Sequence, residues 1–479
     1  MRLLLPIALL LLLGLPVIPG CASTVTVTDP LATLRAPDRG ARAHRSALAE
    51  LDTTPPSPEY VEALHRAVWR PGYTVEIREA AARRLADHDL PALKRTLRQQ
   101  LPRMTAWAGR TRLCEMIAEE GWIDLTPALV SGWAVPVAAM PDEDRPEYKA
   151  LVDLHGADQV DAVVFDLLVS ARKVSEQGLR TRCWTLLHRL GGERDLTRLL
   201  EAETIDADDA FLLDLQAAAR ELGIVPANRE EILWIRSLRR PEHADFWRQA
   251  AAALPRLTPD RRASMELRDV AVAVAAARHV PELLELSDAA LYARVESAVR
   301  GQRHFSHGSN FGGQERRDRL YEWKRELTWG DLLAMTIAIE AMQVPEVVEH
   351  LLDFARRDQA DRTTEYGGVL TLDDRGRFAV LEFPPRRREH DEKFIASQAM
   401  LDAAYTSLFH FHYHAQRNRN DRFAGPGFGD ENYAENTRAN CLVLTFVGPG
   451  VLNVDFYRHG RLQVDLGVVE GSAGVAGAS

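Results

Sequence analysis

Leu408, Phe409, His410, Phe411, His412, Tyr413 and His414 place three imidazoles at every second position of one short run. In an extended chain, side chains alternate between faces, so the histidines share one side and Phe409, Phe411 and Tyr413 the other. Two imidazoles two residues apart on a strand can close on one metal ion, and histidine reaches zinc at about 2.0–2.1 Å. Either His410 with His412 or His412 with His414 can supply that pair. The same run also suits a half-buried strand whose polar face is simply rich in imidazole.

The elements around this run alternate with a period near two. Glu365 to Leu372 and Gly376 to Phe383 read as paired strands around the turn Asp373, Asp374, Arg375, Gly376. Phe394 to Ser407 has helical spacing, and the histidine strand follows it. Gln416 to Asn440 reads as a polar loop. Cys441 to Val447, Val451 to Tyr457 and Leu462 to Val468 complete a sheet covered by one or two helices.

Upstream, from Glu59 to Ala355, apolar residues recur at three and four, as amphipathic helices require. Arg78 to Leu85 followed by Asp89, Leu90, Pro91, Ala92, Leu93 reads as a helix, a turn, and a second helix with proline in its first turn. The pattern returns at Arg110 to Ile117 with Asp124 to Leu129, and at Arg180 to Leu187 with Asp195 to Leu199. Looser copies lie at Ala276 to Leu283 and Ala341 to Val347. The offset of about 32–35 residues, then about twice that, resembles HEAT-type repeats, which stack helix pairs and offer surfaces to protein or peptide partners. A non-repetitive helical domain would carry the same periodicity. His304, Phe305, Ser306, His307 and Gly308 fall in a Gly-, Ser- and Asn-rich stretch and read as a surface loop.

Met1 and Arg2 precede an apolar run from Leu3 to Ile18 that ends Ile18, Pro19, Gly20, Cys21. This is the order of a secretory leader and is shorter than the roughly 20 residues of a spanning helix. The tetrad resembles a bacterial lipobox, which implies lipidation at Cys21 and a membrane-anchored envelope protein, with Ala22 favouring the outer membrane; an ordinary leader cut nearby is the alternative. Residues 21–58, rich in Thr, Ala, Pro and charge, read as a tether. With 59 Lys and Arg against 69 Asp and Glu, interleaved along the chain, nucleic acid is excluded as an expected partner. Arg386, Arg387 and Arg388 read as a solvated loop. Cys114, Cys183 and Cys441 lie in apolar segments without zinc-like spacing, so buried free thiols are expected.

Three pieces stand in order: Glu365, Tyr366, Gly367, Gly368, Val369, Leu370; then His412, Tyr413, His414, Ala415; then Gly427, Phe428, Gly429, Asp430. The order resembles the JAB/MPN (JAMM) metallopeptidases, with their ExxGxL strand, HxHP strand end and SxxD loop. The resemblance implies zinc held by His412, His414 and Asp430, with Glu365 as the general base acting on water. Three features depart from the family pattern: Ala415 replaces the usual proline, Gly427 replaces the serine that stabilises the oxyanion, and the loop before Asp430 is long. Expected organisation is a leader at 1–20, a tether at 21–58, a HEAT-like helical repeat domain at 59–343, an α+β JAB/MPN-like domain at 344–470 and a disordered tail at 471–479.

Overall fold

The protein is described by a computed structural model over residues 27–137, 140–305, 317–388 and 390–471. The leader with Cys21, the Ser306 to Gly308 part of the histidine segment, and the tail beyond Gly471 lie outside the described residues. Among those described, no helix is long and apolar enough to cross a membrane. The chain divides into two compact units, Met1–Val163 and Val164–Ser479.

The first unit is helical in its described part, and it corrects the expected tether. Residues 30–51 form the helices Pro30–Arg35 and Gly40–Leu51. The stretch shows little periodic hydrophobicity, but Leu34, Ala47 and Leu48 are all buried. Tyr73 donates its hydroxyl hydrogen to the Leu34 carbonyl at 2.7 Å, and Asp29 caps the first helix by accepting the Ala32 N–H at 2.9 Å. The expected break near Asp89 is present: within Val75–Gln100, Asp89 leaves helical geometry (φ −154°, ψ 67°) and its carboxylate accepts the Ala92 N–H at 3.0 Å. Pro91 then sits where a helix tolerates a missing N–H. Arg78 is buried and donates to the carbonyls of Val68 (3.0 Å) and Arg70 (2.6 Å), satisfying groups that the preceding helix end leaves open.

The second unit joins helices to a six-stranded sheet, so its compact division does not fall at the expected 343/344 boundary. Its elements include α1 (Arg229–Leu238), α2 (Trp329–Ala341), α3 (Pro345–Ala360), β1 (Gly367–Leu372), β2 (Phe378–Phe383), α4 (Gln398–Ala404), β3 (Phe409–His414), α5 (Phe428–Thr437), β4 (Cys441–Gly448), β5 (Val451–Arg458) and β6 (Leu462–Glu470). The physical reason for the merger is a set of buried polar contacts that no local pattern announces. Arg268, fully enclosed, meets Asp331 of α2 at 2.9 Å and the Asn440 side chain at 2.7 Å. Arg458 of β5 forks onto the two Asp331 oxygens at 3.0 and 2.9 Å, and His459 meets Glu266 at 2.6 Å.

Strand order is β2-β1-β3-β4-β5-β6, antiparallel throughout except for the parallel pair β3 and β4. A parallel step needs a crossover of a dozen or more residues, usually carrying a helix. Hence the stretch from Gln416 to Asn440, expected as a loop, contains α5. The helix expected over Phe394 to Ser407 forms only at Gln398–Ala404, where Ser397 caps it by accepting the Met400 N–H at 3.3 Å. β1 lies so close to its neighbours that a Cβ on Gly368 would stand 2.1 Å from the Leu381 carbonyl oxygen, so glycine is required there. Of the His304 segment, Phe305 is buried against Ala424 and Val447 and donates its N–H to Asp465 at 2.8 Å, which corrects the surface-loop expectation for that residue. Cys114, Cys183 and Cys441 are buried free thiols, as expected.

Candidate metal centre

Alternation along β3 sorts its side chains as the spacing predicts. Phe411 and Tyr413 turn toward α3, meeting Phe354 edge-on with ring centroids 6.2 and 5.5 Å away. Tyr413 also donates its hydroxyl hydrogen to the Leu351 carbonyl at 3.0 Å. This apolar anchorage leaves the imidazoles no freedom to slip register, because a shift of one residue would exchange the two faces.

On the other face, His412 Nε2 lies 3.3 Å from His414 Nε2 and 3.1 Å from an Asp430 oxygen. The second Asp430 oxygen is 3.6 Å from His414 Nε2. One ligand atom from each residue falls within 4.8 Å of the others, and among the described residues this is the group that could hold a metal ion. His410 is not part of it. Its Nδ1 pairs with the Tyr433 hydroxyl at 2.7 Å, and burial pushes its imidazole down to about 4, so it stays neutral.

Asp430 reaches the pair because it stands in the first turn of α5 rather than in a loop. Its carboxylate accepts the Gly427 N–H at 2.6 Å, the reach-back that closes a helix start, and the helix N-terminus favours its charge. The helix signal in the sequence was this Gly-x-x-Asp spacing ahead of Ala434, the residue α5 buries.

The donor set has the chemistry of a cation site. Burial opposes charge on His414, but the hydrogen bond it donates to Asp430, the charges of Asp430 and Glu365, and the Phe423 carbonyl outweigh it and hold the imidazole up at about 9. Burial likewise opposes the Asp430 carboxylate, and His412 with His414 hold it well below the usual range. A proton thus sits where a metal ion would, and metal binding to such a set releases it. His414 Nδ1 donates to the Phe423 carbonyl at 2.8 Å, which orients Nε2 toward Asp430 and His412.

Comparison with protein-family models, with curated proteins and with solved structures finds no match for this chain.

Glu365, just before β1, lies outside the chelating set but lines the same cleft as His412 and Asp430, a cavity of about 330 Å³. It is 5% exposed, and burial pushes its carboxyl up while the two histidines pull it back. Gln416 fixes it, donating to Oε1 at 2.9 Å, and Asn420 in turn donates to the Gln416 oxygen at 2.8 Å. Gln416, Asn420, Tyr433 and Tyr457 were not singled out from the sequence. They are ordinary polar residues until the fold brings them to the cleft.

Behind Glu365, Asp358 of α3 accepts the Tyr366 N–H at 2.7 Å. Burial and the neighbouring Glu365 and Asp391 charges push its carboxyl up to about 8, against the Tyr366 hydrogen bond and His414. An unfolded aspartate titrates near about 3.9, so the folded chain holds the extra proton between about 4 and 8, and stability falls as pH rises through that window. Asp358→Asn keeps an acceptor for Tyr366 and removes this cost. Its stability advantage over the parent should grow by up to about 1.4 kcal/mol per pH unit across that window and level off above it. Urea denaturation at three pH values reads the slope; a pH-independent difference would mean that Asp358 ionises freely in the folded chain.

Proposed function

We propose that the second unit is a zinc-dependent amide hydrolase of the JAB/MPN type, acting on peptide or isopeptide-like bonds. The observation that carries this reading is the convergence of His412, His414 and Asp430 from a strand and a separate helix, with buried Glu365 in the same cleft. His412, His414 and Asp430 would hold the ion, a set that leaves one position for substrate or water. Zinc so held supplies Lewis acidity, polarising an amide carbonyl and bringing the pKa of water to about 7. Glu365 accepts a proton from water and returns it to the leaving amine, and its burial strengthens it as a base. Gln416 keeps that carboxylate aimed into the cleft.

Metal content tests the reading. The full chain purified without chelators should carry close to one zinc per chain, and Asp430→Asn should retain at most about a tenth of it. A parent chain without zinc would remove the hydrolase and leave a scaffold. Gly427 favours that second reading, a non-catalytic JAB/MPN-like binding module: it has no hydroxyl, and its N–H is committed to Asp430. Loss of one oxyanion donor typically costs about 10²–10³ in rate.

The helices that precede the sheet are read as HEAT-like repeats that offer surfaces to protein or peptide partners. Arg78, Arg110 and Arg180 occupy matching positions in the sequence pattern. Each donates to a carbonyl at the close of the segment before it: Val68 at 3.0 Å, Met104 at 3.2 Å and Leu168 at 2.8 Å. A crystal structure in which successive helix pairs share no common rotation would remove the repeat reading.

A further inference from the structure

The cleft beside the triad does not end at His412. His410 and Asn436 line both it and a second cavity of about 180 Å³, so the two adjoin at these residues, with Tyr433 paired to His410 on the cleft side. The second cavity is walled by Leu233 and Trp234 of α1 and by Leu401, Ala404 and Tyr405 from α4 and the residue after it. Trp234 is locked in place: it donates its indole N–H to the Tyr405 carbonyl at 2.7 Å and meets the Tyr405 ring edge-on at 5.9 Å. At the joint, His410 is 5% exposed, and its Nε2 has no hydrogen-bond partner. A buried polar atom left open costs stability unless a ligand or water meets it, and the residue that carries this one lines both cavities.

We propose that this second cavity is a specificity subsite for a large apolar side chain of an extended peptide, carried next to the amide that lies at the triad; the proposal rests on the amide-hydrolase reading of that triad. Three observations select this occupant. The subsite adjoins the metal cleft, sharing His410 and Asn436 as lining residues. Its charged rim is already neutralised, Arg229 pairing with Glu230 at 3.0 Å, so an anionic ligand has no unmatched cation to meet there. The polar groups on the cleft side of this boundary are an imidazole, the Tyr433 hydroxyl and the Asn432 and Asn436 carboxamides on successive turns of α5, which suit the N–H and C=O groups of a peptide backbone. The size suits one side chain rather than a folded partner, ligand pockets for whole small molecules running to about 300–1,000 Å³.

The test measures binding, not turnover. The full chain is titrated with two N-acetylated, C-amidated tripeptides, Ala-Phe-Ala and Ala-Ala-Ala, followed by ligand line broadening in NMR, with zinc and again with a chelator. The phenylalanine peptide should bind at least about tenfold more tightly, the scale on which an apolar pocket separates large from small side chains, in both conditions. Leu233→Arg, at a position 39% exposed and away from the triad, should bring the ratio to within about twofold. Leu401→Arg should do the same from α4, so that misfolding of one variant does not decide the matter; thermal unfolding of each checks the fold. Equal affinity of the parent for both peptides, or a preference untouched by both variants, overturns the subsite. A separate turnover assay on the same preparations tells the two readings apart: no hydrolysis by the zinc-loaded parent with the preference intact overturns the hydrolase reading alone.

Discussion

Glu365→Gln should lower turnover of a blocked peptide amide by about 10²–10⁴-fold while leaving the zinc content of the chain unchanged. The substitution keeps size and keeps an oxygen for Gln416, which now donates to Glu365 Oε1 at 2.9 Å, so the cleft wall should not move. What disappears is the ability to accept a proton. The triad is untouched, because Glu365 is not one of its ligands. Burial raises the Glu365 carboxyl above an ordinary glutamate, so the acid limb of the parent's pH–rate profile should sit higher than about 4.3. Zinc content and initial rates on the same preparations separate the outcomes. Loss of zinc in Glu365→Gln would make this residue a ligand rather than a base. Parent-like turnover would remove it from the chemistry, and a zinc-loaded parent without turnover would leave the binding module.

The alternation of β3 was legible because it needs only local geometry: aromatic residues bind the sheet to α3, and imidazoles at every second position must then face the other way. The convergence of Asp430 on that face came from the family resemblance and not from spacing, since nothing local fixes how a chain segment returns across a sheet. The helix carrying Asp430 was missed for a related reason. Gln416 to Asn440 is polar enough to read as a loop, and α5 buries only Ala434, so it leaves almost no apolar stripe. The parallel pairing of β3 with β4, a non-local fact, is what demands a helix in the crossover.

The misread tether has a different cause. Residues 30–51 show little periodic hydrophobicity, yet Leu34, Ala47 and Leu48 are enough when each is enclosed. Burying one leucine contributes about 1.5–3 kcal/mol, and a helix needs only one such stripe to dock. The boundary near residue 344 was drawn where the period changes from helical to strand-like. That change is real, but a change of secondary structure is not a change of domain when charges are shared across it.

Arg268→Met should destabilise the second unit by about 3–5 kcal/mol, the usual consequence of removing one partner from a buried ionic group. Arg268 has partners far away in sequence: Asp331 at 2.9 Å, Asn440 at 2.7 Å, and the nearer Glu266 at 3.0 Å and Asp269 at 3.3 Å. Burial opposes the charge on each, and the mutual attraction offsets it. Arg268 with Arg458 holds the Asp331 carboxyl down at about 2, whereas burial raises Asp269 to about 6. Methionine fills the volume but leaves Asp331 with Arg458 as its one remaining cation and leaves the Asn440 side-chain oxygen without its Arg268 donor. Asn440 immediately precedes β4, whose register against β3 sets Cys441 opposite His410 and Val443 opposite His412. Loosening this contact should therefore also weaken zinc retention, while Asp331→Asn, which keeps acceptor geometry for Arg458, should cost less than Arg268→Met. Urea denaturation gives the first quantity and metal analysis after dialysis the second. A loss below about 1 kcal/mol would place Arg268 in the range of an exposed ion pair and remove the argument that these charges join the helices to the sheet.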